Sequence, residues 1–222
     1  MSTLSNVTTR RGEQNPPSDS LTADAIPEAK NEVTGVSVRY VLDAEKSWFV
    51  LRASYGREDR ASDYMINDGT YTYIAKRYTE KYLQGKRRKI LENLIPNLLF
   101  AYTTAEKVEE YVKHTPELSF LTYYYNHFER DDNQKNPPLT VSIREMDNFI
   151  RATCNQSEHL RLVNPSQCHY KSGEMVKVVD GPFRGVEGRV ARVAGQQRVI
   201  VTLSQVGLIS TAYIPTAFIE KI

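Results

Sequence analysis

The run GEMVKVVDGPFRGVEGRV, residues 173–190, decides how the C-terminal end of this 222-residue chain folds. Val176 and Val178 alternate with polar neighbours, the pattern of a strand with one buried face. Asp180-Gly181-Pro182 then forms a tight turn that Pro182 stiffens, which places Phe183 outward at its tip. Gly185 and Gly188 permit a sharp return that residues with a Cβ resist. Downstream, Ala194-Gly195-Gln196 is a second turn signal, and Val199, Val201 and Leu203 repeat the alternation. The β-branched run Val199-Ile200-Val201-Thr202 favours a strand. With no helical period anywhere in it, the stretch over 172–222 predicts a small β-barrel that closes its own edges. It carries an excess of basic over acidic residues.

Upstream the pattern changes. Trp48-Phe49-Val50-Leu51-Arg52-Ala53 reads as a buried strand. Ala61, Tyr64 and Met65 stand at helical spacing between Arg57 and Asp68. Tyr71–Tyr82 and Arg88–Ile95 read as strands around the Gln84-Gly85-Lys86 turn, and Asn97–Tyr102 as another. Thr103 with Glu106, and Ser142 with Glu145, fit capping boxes at the starts of two further helices. Leu118–Tyr125 is strand-like and Glu129–Pro138 a polar loop. Strands alternating with helices over 47–154 predict an α+β sandwich, with helices packed on a sheet. Residues 155–171 contain few large apolar side chains and read as a linker. Residues 1–46 read as a disordered or weakly ordered tail, poor in large apolar residues up to about residue 31. Val33–Leu42 could add a strand to it, although Gly35 weakens one.

Composition narrows the function. The net charge is +2, from 29 Lys+Arg against 27 Asp+Glu, too balanced for a protein that coats nucleic acid by charge alone. No apolar run approaches the roughly 18 residues of a membrane helix, and the N-terminus lacks an apolar signal region. Two cysteines are too few for a disulfide scaffold and fit a reducing cytoplasm. Cys154, His159, Cys168 and His169 lack the spacing of a zinc knuckle. No phosphate-binding loop, dinucleotide fingerprint or hydrolase elbow is present. We therefore expect a cytoplasmic, monomeric protein that is not an enzyme and uses no metal or cofactor.

Residues 173–190 resemble a KOW motif. Upstream, Trp48-Phe49-Val50-Leu51-Arg52 followed by Tyr55-Gly56-Arg57-Glu58 resembles the opening of the NusG N-terminal domain. Ile95-Pro96-Asn97-Leu98-Leu99-Phe100 resembles its Pro-Gly-Tyr-aliphatic strand, and Val141–Phe149 its closing helix. These anchors fall in the family's order, so the chain resembles a NusG-family transcription elongation and antitermination factor: an NGN-like α/β sandwich followed by a small SH3-like KOW β-barrel. Asn97 and Leu98 stand where the family has Gly-Tyr, and the tail and the loop around Glu129–Pro138 are longer. These departures point to a specialised paralogue of the kind that acts on polysaccharide operons.

The resemblance implies an N-terminal domain that docks on RNA polymerase, bridges the DNA cleft and reduces pausing or termination. A factor that binds only the closed clamp shifts its population by the differential affinity. Docking on helices needs exposed aromatic and apolar anchors. Trp48, Phe49, Tyr55, Ile95, Pro96 and Phe100 are the candidates by position. Lys86, Arg87, Arg88 and Lys89 form the densest basic cluster, at a hairpin tip suited to DNA phosphates. Arg57 and Arg60 are candidates for the non-template strand. Tyr64 could stack on a base, although its spacing favours burial, and packing is the expected role of Tyr123-Tyr124-Tyr125. In the family the KOW tip binds a ribosomal protein or Rho, which by position involves Phe183, Arg184, Gly185, Val206, Gly207 and Leu208. The alternative function is an RNA-binding or ribosome-associated KOW protein whose upstream domain is a scaffold.

Overall fold

Residues 40–222 are described by the structure, a computed structural model. The expected tail over 1–39 lies outside the described residues, and Tyr40–Leu42 form no strand. In chain order the first domain contains β1 (Ser47–Ala53), α1 (Glu58–Asn67), β2 (Tyr71–Tyr73), β3 (Lys76–Leu83), β4 (Lys86–Asn93) and β5 (Leu98–Thr103), then α2 (Ala105–Glu109), β6 (Leu121–Tyr123), β7 (Thr140–Val141) and α3 (Ile143–Thr153). The second contains β8 (Arg161–Val163), β9 (His169–Val178), β10 (Glu187–Val193), β11 (Gln196–Leu203), β12 (Gly207–Tyr213) and β13 (Ile219–Lys221).

Strand β1 is buried at every position except Ser47 and Arg52 because both faces of its sheet are covered. It lies between β5 and β6, with β2 beyond β5 and with β7 continuing the β6 edge. Antiparallel register sets Val50 opposite Phe100 and Leu51 opposite Leu99. Side chains alternate across a strand, so Trp48, Val50, Phe100 and Tyr102 face one way and Phe49, Leu51, Leu99 and Ala101 the other. Ala61 and Met65 of α1, with Val108 of α2 and Tyr111, cover the second set. Met146, Phe149 and Ile150 of α3 cover the first, with the Phe149 ring 5.4 Å from that of Phe100. The expected α+β sandwich is the observed one.

The caps follow the sequence at one helix and slip by one residue at the other. Ser142 accepts a hydrogen bond from the Glu145 backbone N–H, 3.3 Å, at the start of α3. At α2 the cap is Thr104, which accepts from Lys107 N–H, not Thr103. Thr103 is the last, buried residue of β5.

The second domain is β-rich as expected, one antiparallel sheet ordered β13-β9-β10-β11-β12-β8 and here called the barrel, although no pairing of β13 with β8 closes it among the described residues. Its outermost strand comes from the segment expected to be a linker. Leu160, Val163 and Cys168 are buried there, and β8 pairs with β12 through Val163 opposite Leu208. The run Leu160-Arg161-Leu162-Val163, ahead of Pro165, is too short to give a readable period, so the sequence hid this strand.

The barrel packs on α3. Asn148 mimics a strand partner: its side-chain amide donates to Glu187 O at 2.7 Å, and its side-chain carbonyl accepts from Glu187 N at 2.8 Å. Arg144 pairs with the Glu187 carboxylate at 3.1 Å, and Ser204 donates to Glu145. Net hydrogen bonds of this kind contribute about 1 kcal/mol each. Asn148→Ala is therefore expected to raise the population with an undocked barrel by roughly tenfold or more, read as faster tryptic cleavage after Arg151 and Arg161, which flank the joining segment, with unchanged far-ultraviolet circular dichroism. Unchanged cleavage would assign docking to the apolar contacts alone.

Candidate functional site

Strand β1 ends in a strained knot. Tyr55 and Gly56 have φ of 63° and 66°, and Asn97, across from them, has φ of 62°. Left-handed backbone at a residue with a side chain costs of order 1 kcal/mol and collects at functional sites. Three contacts hold the knot. Ala53 N–H donates to Asn97 O at 3.0 Å. Gly56 N–H donates to the Asn97 side-chain oxygen at 3.1 Å. Asn97 N–H donates to the Glu58 carboxylate. Glu58 is only 2% exposed, and its other carboxylate oxygen, Oε2, has no partner among the described residues.

The strain presents Tyr55 to solvent at 90% exposure. Pro96 beside it is exposed, and Ile95 is half-buried against the core. The Arg57 guanidinium lies 4.0 Å from the centroid of the Phe120 ring and 5.3 Å from that of Tyr55, and its Nε donates to Ser54 O at 3.1 Å. Arg60 lies 5.6 Å from the same Phe120 ring. Tyr55, Arg57, Phe120 and Arg60 thus form one strip of alternating rings and cations. Phe120 is itself buried, so the exposed Tyr55 ring is the one that can stack on a planar group, with Arg57 and Arg60 able to neutralise an anion beside it.

Three other candidates lie elsewhere. Trp48, Phe49 and Phe100 are interior and offer no docking anchor, because helices cover both faces of the sheet. Trp48 is also capped by Tyr40, whose ring meets it edge-on at 5.3 Å and whose hydroxyl donates to Asp147 of α3. Burial and the Asp147 carboxylate push the Tyr40 hydroxyl well above the usual phenol range. Sequence reading missed this strap. Its only signal was an isolated aromatic, seven residues upstream of β1, followed by turn-forming residues.

The basic hairpin stands as a two-stranded sheet of its own. Gln84 and Gly85 turn it with φ of 51° and 74°, as a two-residue hairpin loop requires. Lys86, Arg87, Arg88 and Lys89 are all exposed. Arg87 donates to the Tyr82 hydroxyl at 2.6 Å, and Lys89 pairs with Glu158 at 3.1 Å. Lys86 and Arg88 have no carboxylate within 4.0 Å among the described residues, which leaves their charge available to an anion.

At the hairpin base, Lys81, Thr79 and Arg77 together hold the Glu92 carboxyl down at about 2. A depressed carboxyl stabilises the fold above its unfolded value near 4.3, and that contribution is lost as pH falls through 2. The Tyr78 and Ile90 resonances are therefore expected to move between about pH 4 and 2, and Glu92→Gln to abolish that step. A step that persists in the variant would assign it to another group.

Tyr64 is 37% exposed, at the margin of the surface. Tyr124 packs against the core, whereas Tyr125 is exposed with its ring 5.9 Å from that of Tyr123. The polar loop is an ordered finger. Tyr125 bridges to Pro138, and Asn136 donates to Asn126 O at 2.6 Å. It leaves Phe128 86% exposed. One aromatic in a polar run was its only sequence signal.

The barrel tip departs from expectation. Phe183 points inward, 4% exposed, and joins the core cluster. Pro182 O beside it accepts from Asn155 at 3.3 Å, and Gly185 lies against Arg151. Val206 packs on the core, Gly207 sits beneath Leu162, and Leu208 is covered by β8. Arg184 alone of the six is exposed. A barrel docked on another domain turns its tip residues inward, a state that local turn chemistry does not encode.

No three His, Cys, Asp or Glu side chains among the described residues converge as metal ligands. No helix among them is long and apolar enough to cross a membrane.

Comparison with known proteins bears on the first domain. The family described as "Transcription termination factor nusG" matches residues 46–150, the span of the first domain. A solved structure, "Domain interaction in Thermotoga maritima NusG", is 19% identical and covers 80% of this chain and 97% of its own, with a TM-score of 0.39. At that score it carries no argument about how the domains are arranged. A search of curated protein sequences finds no match. The first domain belongs to the NusG family, and the chain is a transcription factor of the NusG type. Proteins of this family are transcription factors, not enzymes.

Proposed function

We propose that the chain regulates transcript elongation by binding RNA polymerase through its first domain, bridging the cleft and reducing pausing or termination. The observation that carries this reading is the strained presentation of Tyr55 and Pro96 at the sheet end of a NusG-family domain. Strain of this kind persists only where surrounding structure enforces it, and here it serves no packing purpose, since Tyr55 touches little of its own chain.

Tyr55, Pro96 and the exposed edge of Ile95 are the docking anchors. Arg57 and Arg60 on the adjoining strip, with Lys86, Arg87, Arg88 and Lys89 on the hairpin, hold non-template or upstream DNA through its phosphates. The barrel carries the contact to a further partner, a ribosomal protein or Rho, through Arg184 while docked. Phe183 and Leu208 are available only after rearrangement. The protein works in the cytoplasm as a monomer.

The test is single-round transcription by the polymerase of the same source, on a template with defined pauses. Shortened pauses or increased readthrough are expected with the purified protein. Association with ribosomal particles and no effect on polymerase would favour the ribosome-associated reading instead.

A further inference from the structure

A cleft of about 590 Å³ opens between the hairpin base and the segment joining the domains, lined by Arg77, Tyr78, Thr79, Glu80, Glu158, His159 and Arg161. Three arginines converge on consecutive carbonyls of its wall. Arg77 donates to Leu160 O at 3.0 Å. Arg161 donates to Glu158 O and to Leu160 O, the latter at 2.9 Å. Arg198, from β11 behind the wall, donates to His159 O at 3.0 Å and Thr211 O at 2.8 Å.

The charges in this cleft are unevenly matched. Both carboxylates at its rim already have cations: Glu158 pairs with Lys89 at 3.1 Å and lies 3.9 Å from His159, and Glu80 lies 3.9 Å from Arg87. Arg77 pairs with Glu92 at 3.3 Å. Arg161 and Arg198 have no carboxylate within 4.0 Å among the described residues. The Nε atoms of Arg77, on the wall, and of Arg198, behind it, are buried without an acceptor among the described residues. Two neighbouring guanidinium groups held only by neutral oxygens repel each other, and an anion relieves that repulsion.

The cleft also has an aromatic wall. Tyr78 is 38% exposed, and Lys89 Nζ lies 6.0 Å from the centroid of its ring. A space of this size accommodates one or two nucleotides and excludes a duplex. We propose that the cleft binds single-stranded nucleic acid, with a phosphodiester on Arg161, backed by Arg198, and a base on Tyr78. The strand would continue along the hairpin toward Lys86 and Arg88. Because the wall joins the two domains, a bound strand also holds them together.

The test is fluorescence anisotropy of labelled 12-nucleotide single-stranded RNA and DNA with the full chain, titrated with salt and without polymerase. Failure here therefore leaves the polymerase-docking proposal standing, and the converse also holds. Arg161→Gln is expected to lower the slope of log affinity against log salt by about 0.7, the value for one phosphate on a single strand. Arg161→Lys should keep that slope. Tyr78→Ala is expected to weaken binding at least about fivefold, and Glu158→Gln to tighten it. Equal affinity for RNA and DNA supports recognition by phosphate and base alone, whereas an RNA preference supports an added 2′-hydroxyl contact. Wild-type affinity and slope in both Arg161→Gln and Tyr78→Ala, or protection from heat by inorganic phosphate with no oligonucleotide binding, would overturn the proposal. If Arg161→Gln fails to fold, Tyr78→Ala and Glu158→Gln decide.

Discussion

Tyr55→Gly is expected to raise stability by about 0.5–1 kcal/mol while weakening polymerase binding roughly tenfold or more. The two signs are opposite because one residue bears two loads. Its φ of 63° is unfavourable for a side chain and easy for glycine. Its ring is almost wholly exposed, so removing it forfeits little of the protein's own packing. An exposed aromatic at the centre of a contact is the kind of side chain whose truncation costs most in binding. Denaturant unfolding reads the first effect, and titration of the variant against polymerase reads the second. Pro96→Asp, also exposed, should lose binding without gaining stability. A stabilised Tyr55→Gly that still binds normally would remove Tyr55 from the interface.

The second large effect is structural. A Cβ on Gly188 would lie 2.4 Å from Ile200 O and 2.7 Å from a Val199 methyl. Ile200 lies opposite Arg189 in the β10–β11 ladder, so the backbone cannot give way without breaking it. Gly188→Ala is expected to destabilise the barrel by about 2–3 kcal/mol, lowering its transition by roughly 10–20 °C. Trp48 is the only tryptophan in the chain and lies in the first domain. The barrel should then unfold in far-ultraviolet circular dichroism before the tryptophan fluorescence changes. Coincident transitions shifted equally would mean that the domains unfold as one unit.

Much of this architecture was legible in the sequence. The alternation at Val176, Val178, Val199 and Val201 gave the barrel strands, because one face of each is buried. Ser142 with Glu145 located α3 through cap chemistry that needs only four neighbouring residues. The site was less legible. Trp48, Phe49 and Phe100 resemble anchors, but β1 and β5 are covered on both faces. A strand buried on both sides carries no pattern that separates core from interface. Phe183 turns inward because the tip faces a second domain, and that contact depends on Asn155 and Arg151, about thirty residues away. The left-handed Tyr55 was invisible for another reason: it is held by Asn97 across the sheet end, itself fixed by Glu58 at the start of α1, and no local turn motif announces that contact.

The most direct measurement places a photo-crosslinking amino acid at position 55 of the full chain and irradiates it with core polymerase at near-physiological salt. The account predicts a crosslink to a large polymerase subunit, weakened by excess unlabelled protein and lost with Pro96→Asp. A wild-type-like chain that crosslinks to no polymerase subunit under these conditions would contradict it.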